Sequence, residues 1–175
     1  LGGKGSDAMR FVRINKDMRQ LNNQQLSDLR LKTADKMLWT GPFHQLANSS
    51  VEAQFCDYRT YFYKGQSIDE QVHLGFDLAT TARAPVTASN DGQVVFAGRL
   101  GIYGNAVVVD HGLGLQSLYA HLSEIAVKLG DSVRKGQQLG RSGATGMAGG
   151  DHLHFTMLLE GVPVNPVEWW DAHWL

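Results

Sequence analysis

The chain has 175 residues, 43% of them hydrophobic, with 16 basic and 17 acidic side chains and a formal net charge of −1. That is enough apolar material for one well-packed domain plus a short extension. It offers no basic stripe for a phosphate backbone, so no nucleic-acid partner is expected, and no apolar run approaches the ~20 residues that cross a bilayer.

The chain opens Leu1-Gly2-Gly3-Lys4-Gly5-Ser6 without an initiator Met, which reads as an expression scar or a cut fragment. A signal or membrane anchor upstream is left open, and membrane contact is expected only through such an anchor. Residues 14–36 read as helix, since Ile14, Met18, Leu21, Leu26 and Leu29 recur at roughly helical spacing. The Asn22-Asn23 pair is expected to divide it, with Ser27 as a second N-cap. Residues 40–50 read as a loop, so residues 1–50 form a helical extension and residues 51–175 the main domain.

Cys56 is the only cysteine, which excludes an intrachain disulfide and a cysteine-based zinc site. It reads as a small buried hydrophobe rather than a catalytic thiol. Residues 58–63 (YRTYFY) have strong β character and end in a Lys64-Gly65 turn. From residue 72 onward short β-type runs alternate with turn residues, and the 20 glycines suit tight turns. The fold class is therefore mainly β, a barrel or sandwich core behind a short helical extension. Trp169, Trp170 and Trp174 near the end read as a tail that packs on the domain, with an aromatic ligand platform as the alternative.

Chemistry concentrates in three places. In the run 152–159, His152, His154 and Thr156 share one strand face, and Leu153, Phe155 and Met157 share the other. In the run 115–121, Ser117, Tyr119 and His121 share a face directed away from Leu118 and Ala120, which places His121 toward a cleft. In His73-Leu74-Gly75-Phe76-Asp77, extended geometry puts His73 and Asp77 on one face. Neutral imidazoles with one carboxylate and an open position form the ligand set of a catalytic zinc. His73, Asp77 and one of His152 and His154 can supply it, leaving other histidines as acid and base. There is no HExxH and no GxSxG, and residues 140–150 (GRSGATGMAGG) lack the Lys-Ser/Thr ending of a phosphate loop. That stretch reads as a loop beside the site. His111 reads as structural, and His44 and His173 carry no motif.

These segments resemble the LytM/lysostaphin-type zinc metallopeptidases of bacterial cell walls. The resemblance rests on His73-Leu74-Gly75-Phe76-Asp77, Tyr119-Ala120-His121-Leu122 and Gly149-Gly150-Asp151-His152-Leu153-His154, in that order, and covers roughly residues 54–166. Tyr103-Gly104-Asn105 and GDSVRKGQQLG (residues 130–140) also look like the family. The resemblance implies one Zn²⁺ held by His73, Asp77 and His154, with His121 and His152 as non-ligand catalytic histidines. It further implies a small antiparallel β core with loops walling a groove, to which Tyr103 and Asn105 would contribute. The implied substrate is a peptide bond of peptidoglycan, with stem-peptide cross-links favoured over glycine bridges, cut by a monomer in the periplasm or cell envelope. Some relatives without zinc ligands regulate other wall hydrolases, but all five His/Asp positions are present here.

Overall fold

The computed structural model describes residues 5–174, so most of the opening glycine-rich stretch lies outside the described residues. The helical segment starts earlier than its apolar spacing predicts. Ser6 accepts a hydrogen bond from the Met9 backbone N–H (3.4 Å), a side-chain N-cap. The chain then stays helical through α1 (Asp7–Val12), a π-helical turn (Arg13–Met18), α2 (Arg19–Asp28) and a 3-10 turn (Leu29–Lys32).

Asn22 and Asn23 do not break this segment, and Ser27 lies inside α2 rather than at a cap. The reason is tertiary. Asn22 Oδ1 accepts from the Ile102 backbone N–H (2.9 Å), and Asn23 Oδ1 accepts from the Tyr103 hydroxyl (2.8 Å). Side chains that would otherwise compete with the helical backbone are engaged elsewhere. The irregularity falls at the fully buried Asn15 instead, whose amide donates to Asp69 (2.7 Å) and accepts from Arg19 (2.6 Å). The π-helical turn is built around this residue, the one buried side chain in it.

Residues 33–49 run without regular structure, yet Trp39, Phe43 and Leu46 pack into the main core. The strands follow: β1 (Ser50–Ala53), β2 (Tyr58–Tyr63), β3 (Gln66–Val72), β4 (Phe76–Ala79), β5 (Pro85–Thr87), β6 (Gly92–Arg99), β7 (Asn105–Gly112), β8 (Leu115–Leu122), β9 (Glu124–Ile125), β10 (Ser132–Val133), β11 (Gln138–Arg141), β12 (Leu153–Leu159) and β13 (Val162–Val164). A short helix, α3 (Val167–Trp170), ends the domain. The pairings are antiparallel. One eight-stranded sheet runs β1-β4-β12-β8-β7-β6-β10 with β13 on β12, beside a β5-β11-β9 sheet and the β2-β3 hairpin. The mainly β reading therefore holds, with a helical segment laid against one sheet face.

Period-2 alternation sorts the central strands onto two faces. Phe76 and Leu78, Val107 and Val109, Tyr119, and Leu153, Phe155 and Met157 meet Val86 and Leu139 of the smaller sheet in the main core. The opposite face carries Val108, Leu118 and Ala120, which pack beneath Leu26 and Leu29 of the helical segment. The C-terminal tryptophans close the first core, with Trp170 5.2 Å from Phe76 and Trp169 5.8 Å from Phe43 between ring centres. Among the described residues, no helix is long and apolar enough to cross a membrane.

Candidate active site

β4 and β12 are neighbours, and their register sets Asp77 opposite His154. Both point to the face under the helical segment, because their neighbours Phe76 and Phe155 point into the main core. His73 arrives differently from expectation. Residues 73–77 are not one extended run, since β3 ends at Val72 and β4 begins at Phe76. The turn between them presses against β12 at Gly75, where a Cβ would sit 2.5 Å from both the Phe155 carbonyl oxygen and Thr156 Oγ1. Only glycine permits that approach. It carries His73 over β4, so that donor atoms of His73, Asp77 and His154 all lie within 4.8 Å of one another.

The hydrogen bonds around this cluster fix its protons. His73 Nδ1–H donates to the Gln54 carbonyl (2.9 Å), which leaves a lone pair on Nε2. Thr156 Oγ1 gives its own proton to the Leu74 carbonyl (2.9 Å) and so accepts from His154 Nε2–H (3.0 Å). His154 Nδ1 is then also a bare lone pair. It faces His73 Nε2 at 3.0 Å and Asp77 Oδ1 at 2.9 Å, while His73 Nε2 is 3.0 Å from the same oxygen. Three acceptors converge with no proton among them, which is stable only around a cation. Two imidazoles and a carboxylate, each oriented by an outer hydrogen bond, fit Zn²⁺. Burial opposes ionisation of Asp77, but contacts from His152, His154 and His73 outweigh it and hold the carboxyl well below the usual range.

His121 shows where alternation misleads. Tyr119 faces the main core, so a regular strand would bury His121 there, and the face expected to open on a cleft is core. The β7–β8 ladder is irregular between Asn105 and Val107, and His121 takes a left-handed φ of 62°. The bulge turns His121 onto the face of His154, with ring centres 5.8 Å apart. Its Nδ1–H donates to the Thr145 carbonyl (2.8 Å), and burial followed by the nearby His154 pushes its pKa down to about 3. His152 sits just ahead of β12, 4.8 Å from the His121 ring, and donates Nδ1–H to the Gly150 carbonyl (2.9 Å). Burial lowers its pKa, but Asp77 and Gly150 outweigh that and raise it. His121 therefore keeps Nε2 free on the site side, and His152 Nε2 faces Asp77 Oδ1 at 3.5 Å.

A cavity of about 130 Å³ encloses these five side chains. Tyr103 lines it, with its hydroxyl on Asn23 and its pKa pushed up to about 12 by burial. Asn105 is not among the lining residues: its amide donates to the Leu122 carbonyl (3.1 Å), and its backbone N–H to Thr145 Oγ1 (2.9 Å). It braces the loop whose carbonyl holds His121. Met147, Ala148 and Gly149 of the glycine-rich stretch form another wall. Cys56, expected inside, is exposed, because its left-handed turn (φ 68°) hands only its backbone N–H to the His73 carbonyl (2.8 Å). Two lining residues have no motif of their own. Arg59 donates to Asp77 Oδ2 (2.9 Å), leaving Oδ1 toward the imidazoles, and Arg19 enters from α2. The only trace of Arg59 in the sequence is its place on the inward phase of β2, with Tyr61 and Tyr63.

The description Peptidase family M23 matches residues 71–166. Over 97 residues the chain is 46% identical to the DD-carboxypeptidase/endopeptidase Mpg of Neisseria meningitidis, covering 55% of this chain and 22% of that protein. The chain thus spans about a fifth of the length of the curated relatives it matches. A zinc-containing peptidase from Vibrio cholerae superposes over 75% of this chain and 40% of its own, with a TM-score of 0.61 and 31% identity. The catalytic domain of lysostaphin from Staphylococcus simulans superposes over 69% and 90%, with a TM-score of 0.58 and 30% identity. The matched residues contain the whole cluster from His73 to His154, and the chain belongs to peptidase family M23.

Proposed function

We propose that this chain is a zinc-dependent endopeptidase that hydrolyses stem-peptide cross-links of bacterial peptidoglycan, working in the periplasm or cell envelope. The observation that carries the reading is the convergence of three bare lone pairs, on His73, Asp77 and His154, beside the imidazoles of His121 and His152. The relatives named as peptidoglycan endopeptidases supply the substrate class. The alternative, a non-catalytic regulator, predicts missing zinc ligands, and His73, Asp77 and His154 are all present.

His73 Nε2, His154 Nδ1 and Asp77 Oδ1 would hold the ion. When bound, Zn²⁺ acts as a Lewis acid on the scissile carbonyl and brings the pKa of a water from ~15.7 to about 7. Thr156, Gln54 and Arg59 keep the three donors aimed through outer hydrogen bonds. Of His121 and His152, one Nε2 takes the proton of the attacking water and the other, protonated, donates to the developing oxyanion. Their Nδ1–H bonds to Thr145 and Gly150 hold both rings in the tautomer this requires.

The helical segment that carries Arg19 and Asn23 walls and gates this site. Asn23→Ala, which frees the Tyr103 hydroxyl, should shift KM without changing metal content. An unchanged KM would remove the gating role.

The test pairs metal analysis of the purified chain with muropeptide release from peptidoglycan, with and without chelator. One zinc per chain and chelator-sensitive release of uncross-linked peptides is the expected result. Zinc-loaded protein that releases nothing would overturn the reading.

A further inference from the structure

A second cavity, of about 630 Å³, adjoins the metal cluster and shares Arg19, Arg59 and Gly149 with it. Its charged lining is one-sided. Arg19 comes from α2, Arg59 from β2 and Arg99 from the end of β6, and no Asp or Glu lines it. The whole chain carries a net charge of −1, so this convergence does not follow from composition.

The three guanidiniums are not neutralised from within. Among the described residues, only Arg59 has a carboxylate within 4.0 Å, the Asp77 side chain at 2.9 Å. Arg19 is held in place by Nε–H to the Asn15 carbonyl (2.9 Å) and Nη2 to Asn15 Oδ1 (2.6 Å), which leaves its Nη1 donors uncommitted. Arg99 is exposed. Ile14, Met18 and Met147 give the rest of the lining an apolar character.

We propose that this cavity is the subsite for the free carboxylates of an acidic stem peptide, seated beside the scissile bond. The proposal rests on the peptidase reading and narrows its substrate. Guanidinium forks match carboxylates in bidentate geometry, and the apolar wall suits the aliphatic stems that carry them. A glycine bridge offers neither a side-chain carboxylate nor an aliphatic stem, so the lining selects against it. Arg59 joins the two sites, with one edge on Asp77 and the rest of the fork toward the cavity.

The test measures binding of a disaccharide tetrapeptide, a product that is not turned over, to the zinc-loaded protein by calorimetry. Two forms are compared, one with its glutamate and diaminopimelate carboxylates free and one with them amidated. The free acid should bind about tenfold more tightly, and Arg99→Gln should weaken it by roughly three- to tenfold while leaving the amidated form unchanged. Among the described residues the Arg99 side chain makes no hydrogen bond or ion pair and is exposed, so this variant should keep the structure, and its zinc content is the control. Arg19→Gln should show the same selectivity. Equal affinity for the two forms, or equal loss of both in Arg99→Gln, overturns the subsite. Cleavage of cross-linked dimers by the same preparations separates the two ideas. Cleavage without acid preference leaves the peptidase and removes the subsite, whereas acid preference without cleavage leaves the subsite and removes the peptidase.

Discussion

Strand β12 has two faces of equal burial and opposite character. Leu153, Phe155 and Met157 are at most 2% exposed, and His154 and Thr156 on the other face are 5% and 2% exposed. On the first face apolar surface meets apolar surface, each large side chain contributing roughly 1.5–3 kcal/mol. On the second, lone pairs of His73, Asp77 and His154 are held 2.9–3.0 Å apart with no proton between them. Burial therefore does not identify a core. One face stores stability, and the other presents converging donors that a cation would bridge.

The sharpest way to break the comparison is to delete a donor. His154→Ala should lose zinc and turnover together, measured by metal analysis and muropeptide release, and full zinc occupancy would show the ligand set wrong. Removing the neighbouring imidazoles should separate the two losses. His121→Ala and His152→Ala should each keep zinc and lose about 10²–10⁴ in kcat. Wild-type turnover in either would end its catalytic role.

The core face should respond in stability alone. Phe155→Ala removes a ring 5.4 Å from Tyr119 and 5.6 Å from Trp170. It should cost about 3–5 kcal/mol in urea unfolding, while the folded fraction still binds zinc. A loss under 1 kcal/mol would mean that this face is not the main store of stability.

The smallest effect is a pH dependence that belongs to the core. His111 is fully buried, its Nδ1 2.7 Å from the Asp91 carbonyl and its Nε2 2.7 Å from Ser117 Oγ. Burial holds its pKa down at about 4, against an ordinary 6.5. Between those values the unfolded chain takes up a proton that the folded chain refuses. Its contribution is complete above pH ~6.5 and is lost as pH falls toward ~4, about 3 kcal/mol in all. His111→Gln should flatten that slope in denaturant titrations, and an unchanged slope would assign acid sensitivity elsewhere.

Much of the site was legible because its signals are short-range. His152 and His154 lie two apart at the start of β12, and His73 and Asp77 flank a glycine whose position leaves no room for a Cβ. What was not legible depends on partners far along the chain. The direction of His121 follows from a ladder irregularity set against β7, not from its own strand pattern. Asn22 and Asn23 look like helix breakers until Ile102 and Tyr103 donate to their side-chain oxygens. Arg19, Arg59 and Arg99 belong to three elements and share no spacing, so only the folded chain brings them together.

The left-handed backbone at His121 has a consequence for how this sequence can change. A side chain there costs on the order of 1–3 kcal/mol, a cost that glycine would remove. Selection for thermal robustness alone would favour glycine at position 121 and give a sturdier protein with no imidazole to move a proton. Position 121 is thus one place where stability and the proposed activity pull apart, and a thermostabilisation campaign should leave it untouched.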